Sequence, residues 1–230
     1  MERGLKEPYS EDEKENMEYL ILVDSNDNQI GKEEKVKCHL PDGKLHRAFT
    51  ILLFDREGRL LLTQRSMNKM LWPGDWDGTV ASHPRQSETY VSSAERRLPE
   101  ELGLTCKLDY LFKFEYHVPY KDIGSENEVC GTLIGTVDDP SKIKLVEDEI
   151  SAVKWVTLDQ LLSEIEKSPE MFCPWMLVAL YFLSESNNKV SETHKKILGM
   201  WNGGNIKSHL EKSLKYHFPN NRWELKKERN

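Results

Sequence analysis

Apolar positions along the chain fall into short runs separated by polar turns. Tyr19-Leu20-Ile21-Leu22-Val23 is a run of β-favouring residues and predicts a strand reaching Asp24, followed by the turn Ser25-Asn26-Asp27-Asn28. Ala48 to Phe54 is continuously apolar and predicts a second strand. Asp55-Arg56-Glu57-Gly58 then reads as a hairpin turn, with Arg59 to Gln64 returning. Leu71-Trp72-Pro73-Gly74-Asp75-Trp76 breaks regularity and predicts a loop. Glu88 to Leu102 has helical patterning with a stop signal at Gly103. Pro99 lies inside that stretch, where proline costs about 3 kcal/mol, so a kink or an early end near Leu98 is expected. Further strands are predicted at about 108–118, 128–137 and 152–156. Leu158, Leu161, Leu162 and Ile165 fall on one face of a helix over Leu158 to Ser168, and a second helix is expected over Trp175 to Ser184. Residues 185–230 carry helical segments broken by Asn202-Gly203-Gly204-Asn205. Strands with interspersed helices give an α+β or α/β sandwich. Residues 1–17 read as a polar, flexible tail, 18–184 as the main domain and 185–230 as a helical C-terminal extension or small second module.

Composition narrows the class. The chain has 230 residues, 38% hydrophobic and 31% charged, which suits one well-cored domain with additions. No apolar run is long enough to span a membrane, and the charged start has no apolar h-region, so a cytoplasmic location is expected. The net charge is −7 with no long basic run, so there is no electrostatic footprint for nucleic acid. Cys38, Cys106, Cys130 and Cys173 form no CxxC pair and are expected as free thiols.

Three groups of residues carry candidate chemistry. Glu88, Arg96, Arg97, Glu100, Glu101 and Gly103 bring carboxylates to a helix, oxygen ligands that suit Mg²⁺ or Mn²⁺. His39, His46 and His83, with Glu126 and Glu128 two apart on one strand face, describe a transition-metal site better than a Mg²⁺ site. Lys35, Arg65, Lys69 and Arg97 are basic residues of the kinds that contact anions, arginine bidentately and lysine as a point charge, and Arg65 and Lys69 lie four apart.

The helical pattern resembles the Nudix box, with Ser82 where its first glycine is usual and Arg97 where an acid follows the first arginine. These departures weaken a pyrophosphohydrolase reading. Over roughly residues 18–180 the chain resembles type 1 isopentenyl-diphosphate isomerase, a Nudix-type mixed β-sheet sandwich flanked by helices. The resemblance implies that His39, His46, His83, Glu126 and Glu128 bind one metal, Mn²⁺ or Zn²⁺, and that Glu101 helps hold Mg²⁺ on the substrate diphosphate. It implies diphosphate contacts from Lys35, Arg65, Lys69 and Arg97, and an apolar pocket end built from Trp72, Tyr116 and Trp175. The implied reaction protonates and deprotonates an alkene. Glu128, assisted by Tyr116, delivers one proton, and Trp175 shields a tertiary carbocation by cation–π attraction, worth about 2 kcal/mol when desolvated. The implied partner is a small prenyl diphosphate, and a monomer and a homodimer both remain open.

One position departs. The family reads Asn-x-x-Cys-x-His-Pro where this chain has Gly78-Thr79-Val80-Ala81-Ser82-His83-Pro84, so Ala81 stands at the catalytic cysteine. A methyl group cannot accept a proton. An introduced Cys→Ala change, a natural homologue with another base, and a homologue with shifted chemistry are the three readings of Ala81. Neither Cys130, on the face of Glu128, nor Ser82 is expected to replace the thiol. The competing functions are a Nudix hydrolase of a nucleoside diphosphate derivative, a prenyl-diphosphate-binding protein and a carbocation-cyclising homologue.

Overall fold

The computed structural model describes residues 18–183, 190–201, 206–220 and 222–226. The expectations for 1–17, Ser184 and the break at 202–205 lie outside the described residues.

Among the described residues ten strands join in one mixed sheet. They are β1 (Tyr19–Val23), β2 (Gln29–Glu34), β3 (His46–Phe54), β4 (Leu60–Arg65), β5 (Trp76–Asp77), β6 (Val80–Ser82), β7 (Leu108–Tyr120), β8 (Gly124–Thr136), β9 (Ile150–Val156) and β10 (Trp223–Lys226). The main path runs β10-β7-β8-β3-β1-β2; β4 and β6 branch from β3, and β5 and β9 pair with β4. β3 and β8 pair parallel, whereas β7 and β8 form a long antiparallel hairpin. The helices are α1 (Lys35–His39), α2 (Tyr90–Leu102), α3 (Leu158–Lys167), α4 (Pro174–Phe182), α5 (Glu192–Trp201) and α6 (Ile206–His217).

Strand alternation divides the core in two. Phe49, Ile51 and Leu53 of β3 face α2, packing on Ala94, Leu98 and Leu102. Ala48, Leu52 and Phe54 face the other way, into a cluster with Trp175, Leu177 and Val178 of α4. α4 is apolar almost throughout and buried along nearly its whole length, as a helix without a polar face must be. The α+β class and the Nudix-type sheet flanked by helices are as the sequence suggests.

Several local expectations change. α2 starts at Tyr90, because Thr89 caps it in a reciprocal pair with Ser92. It does not stop at Leu98 but runs through Pro99 to Leu102, and Gly103 closes it at φ 65°. Glu95 and Pro99 are both exposed, so the carbonyl that proline leaves without a partner faces water. β7 and β8 extend beyond the expected 108–118 and 128–137 to meet at a tight connection. β2, β5, β6 and the one-turn α1 carry no strong periodicity and went unpredicted. The segment after residue 190 is not purely helical: β10 adds to the outer edge of β7. Ile197, Trp201, Leu210 and Phe218 join the same apolar cluster as α4. Trp201 donates to the Gly58 carbonyl at 2.8 Å, tying α5 to the turn between β3 and β4. Trp201→Ala is expected to cost about 3–5 kcal/mol, read as a lowered urea midpoint. A midpoint unchanged within error would show that this anchor carries no load.

Candidate active site

Register across three strands assembles the centre. His46 on β3 is the partner of Glu128 on β8, and Glu128 is the partner of Tyr116 on β7. These side chains therefore stand in one row on one face of the sheet. His83 comes just after β6, which pairs with β3 through Phe49 and Ser82. His39 is the last residue of α1.

The Nε2 atoms of His46 and His83 lie 3.3 Å apart, and each lies 3.3 Å from Glu128 Oε1. His39 Nε2 is 3.1 Å from Glu126 Oε2. Ligand atoms of His39, His46, His83 and Glu128 all fall within 4.8 Å of one another, the one such group among the described residues. His39 Nδ1 and His46 Nδ1 each meet a backbone carbonyl, of Lys35 at 2.6 Å and Lys44 at 2.7 Å. A carbonyl accepts, so both rings keep a proton on Nδ1 and point Nε2 inward. Ring nitrogens converging beside a buried carboxylate are a donor set that a divalent cation fits. Burial pushes the His83 imidazole down to about 3, keeping it neutral as a ligand must be. For His39 burial acts the same way, but the Glu126 carboxylate outweighs it and raises the ring to about 9. Glu126 itself stands at the edge of the group of four.

The Tyr116 hydroxyl donates to Glu128 Oε2 at 2.5 Å, with both groups buried. Burial, and then the Glu128 charge, push the phenol far up, so it keeps its proton. Burial opposes the charge of Glu128, but the His46 and His83 rings beside it hold it well below the usual carboxylate range.

A cavity of about 110 Å³ opens beside this row. A single water needs only about 10–15 Å³ of such space. Ala81, Cys130, Tyr116 and Trp175 form its inner wall, and Lys35, Arg65, Lys69 and Arg97 also line it. The basic side chains are held by carboxylates. Lys35 donates to Glu18 at 2.7 Å and Lys69 to Glu149. Arg97 reaches Glu100 at 2.9 Å, Glu149 at 3.3 Å and the buried Glu101. Burial raises Glu101 to about 7 against the Arg97 charge. Arg65 spends three of its five N–H groups on Trp72 O (3.0 Å), Leu71 O (2.9 Å) and Asp77 Oδ2 (3.4 Å).

Some expectations do not hold. Trp72 sits behind Trp175, edge to face at 5.3 Å, and is not part of the cavity wall. It supports the pocket rather than lining it. Glu88 and Glu100 do not join a metal cluster. Glu88 grips Arg96 at 2.6 Å ahead of the helix, and Glu100 is spent on Arg96 and Arg97. Cys130 lines the same cavity as Ala81, but burial raises its thiol far up, so it remains protonated.

Two functional groups were missed. Asp77 is buried, accepts from the Trp175 indole at 2.8 Å and faces Arg65, so it orients both. Glu149 bridges Lys69 and Arg97 on the cavity wall. In the sequence Asp77 lies in a Trp-Asp-Gly turn and Glu149 in an acidic run, and neither context marks a partner.

Comparison with known proteins identifies the family. The NUDIX domain family matches residues 44–176. A Deinococcus radiodurans crystal structure superposes with a TM-score of 0.54 at 22% identity, covering 65% of this chain and 90% of that one, which supports the fold. An isopentenyl-diphosphate Delta-isomerase of Haloarcula marismortui is 41% identical over 166 residues, 70% of this chain and 88% of that protein. Isopentenyl-diphosphate Delta-isomerase 1 of Photorhabdus laumondii is 35% identical over 161 residues, 69% of this chain and 90% of its own length. Within the NUDIX-domain proteins, this chain belongs to the isopentenyl-diphosphate Delta-isomerase family.

Proposed function

We propose that the chain interconverts isopentenyl diphosphate and dimethylallyl diphosphate, as a cytoplasmic enzyme of isoprenoid synthesis. The observation that carries this is the Tyr116–Glu128 hydrogen bond, set beside the Trp175 indole in a cavity ringed by basic groups. An acid–base pair, an aromatic wall and a diphosphate clamp are what moving an alkene in a charged, water-sensitive substrate requires.

His39, His46, His83, Glu126 and Glu128 would hold one divalent ion of the transition type, Mn²⁺ or Zn²⁺. Bound there, the ion supplies positive charge that fixes the carboxylates and tunes their acidity. Glu101 would help hold Mg²⁺ on the substrate diphosphate. Lys35, Lys69 and Arg97 bind that diphosphate, exchanging their carboxylate partners for phosphate oxygens, and Arg65 reaches it with its remaining N–H groups. Arg65 and Asp77 fix the Trp175 plane, with the Arg65 guanidinium 5.2 Å from the ring centroid. Glu128 would take up the proton that the Tyr116 hydroxyl donates to it and pass it to one alkene carbon, and Tyr116 is reprotonated before the next turnover. Trp175 shields the resulting tertiary cation from water. A proton then leaves the neighbouring carbon on the side of Ala81 for an oxygen of the substrate's own diphosphate, because the Ala81 methyl cannot accept it.

Deuterium uptake from heavy water into isopentenyl diphosphate tests the assignment. Substrate recovered unlabelled, in the presence of Mg²⁺ and Mn²⁺, would overturn it. A nucleotide panel should release no nucleoside monophosphate, because Glu88 and Glu100 are tied up in ion pairs. His39→Ala and Glu126→Gln are each expected to lower bound metal, read by elemental analysis after dialysis. Undiminished metal in both variants would refute the ligand set. Lys69→Ala should raise KM about tenfold with a smaller change in kcat, as loss of a substrate-binding charge does. The reverse pattern would remove Lys69 from the diphosphate clamp.

A further inference from the structure

The NUDIX match ends at residue 176, and the Haloarcula and Photorhabdus relatives align with about 70% of the chain. The chain beyond α4 nonetheless reaches the catalytic row. β10 lies against the outer edge of β7, with Trp223 the register partner of Tyr116. His117 N–H donates to the Arg222 carbonyl at 3.0 Å, pinning β7 just beside Tyr116. Phe218, directly after α6, is 2% exposed. Its ring meets the Tyr116 ring edge to face, at 6.3 Å and 84°. Its own N–H donates to Leu214 O at 2.7 Å, so the ring is carried by the last turn of α6. Tyr116 is thus held between Trp175 on one side and Phe218 on another.

We propose that the C-terminal extension works as a positioning device, in which Phe218 and β10 fix the Tyr116 ring so that its hydroxyl stays aligned with Glu128. A phenol hydroxyl swings when its ring tilts, and one 2.5 Å hydrogen bond does not by itself lock a ring against rotation about its side-chain bonds. Edge-to-face contact restricts that tilt. β7 without β10 would be an outer strand with free backbone groups, and its tip would be less fixed. Phe218 touches neither the substrate space nor the His/Glu group. It acts only through Tyr116. The inference rests on the proposed role of Tyr116 in the isomerase reaction.

Two readouts test it. In Phe218→Ala, kcat is expected to fall about tenfold with KM nearly unchanged, the result of a misplaced catalytic group rather than weaker binding. Phe218→Leu keeps apolar volume without the flat ring edge, should fall less, and serves if the alanine variant does not fold. In the Tyr116→Phe background the Phe218 substitutions should have little further effect. An unchanged kcat in Phe218→Ala, or the same fall in both backgrounds, overturns the proposal. The second readout needs no turnover. With ¹³Cζ-labelled tyrosine, the Tyr116 resonance, assigned by its loss in Tyr116→Phe, should shift in the Phe218 variants. A resonance left in place overturns the proposal even if the chain isomerises nothing, so failure of the isomerase reading is told apart from failure of this one.

Discussion

Glu128→Gln is expected to lower deuterium uptake into isopentenyl diphosphate by about 10²–10⁴-fold, the contribution typical of a positioned acid–base group. The amide matches the carboxylate in size and can still accept from Tyr116, so the row across β3, β8 and β7 should survive. What it loses is the ability to give up a proton. It also loses a charge that the neighbouring imidazoles are arranged to meet, and metal content must be measured in the same sample. Glu126→Gln is the matched control, since Glu126 reaches His39 but not Tyr116. If both variants lose metal and activity equally, the proton role of Glu128 has no separate support. If Glu128→Gln retains metal and full turnover, the proposed acid is wrong.

Ala81→Cys is expected to raise turnover at least about 100-fold. Ala81 is only partly buried, lies on β6 opposite Thr50 of β3 and contributes to the cavity wall. A side chain added there enters the space bounded by Trp175 and Tyr116. None of the thiols already present can do the same work. Cys130 is on β8 with Glu128, separated from β6 by β3, and Cys173 is buried beside Asp77. An unchanged rate in Ala81→Cys would show that the second proton leaves by another route and that position 81 is not where it moves. A fall in rate would mean that the chain has built its second base around the small side chain.

The fold was legible where side-chain pattern and backbone state agree. β3 is a continuous apolar run closed by Asp55 and Gly58, and α2 ends at a left-handed glycine. Legibility failed where tertiary pairing decides. Trp223-Glu224-Leu225-Lys226 alternates too briefly to announce a strand, and it becomes one because β7 offers a free edge. Pro99 looked like a terminator, but an exposed carbonyl four residues earlier lets water take the place of its missing bond. The site divides in the same way. The histidines and paired glutamates stood out because several rare residues shared short motifs. Asp77 and Glu149 are ordinary acids in turns and acidic runs, and only the partners that folding brings to them give them a role. Trp72 was identifiable as part of the aromatic group but not as its rear member, since sequence spacing carries no depth.

The parallel pairing of β3 with β8 has a kinetic consequence. His46 and Glu128 belong to segments far apart in the chain, joined by no hairpin, and they meet only once the long crossover between them has been ordered. Contacts of that kind form late, because loop-closure entropy is spent before the pairing returns anything. The ligand set therefore cannot exist in a partly folded chain that holds only the β7–β8 hairpin and its local turns. Metal uptake during refolding should lag behind the recovery of far-ultraviolet dichroism.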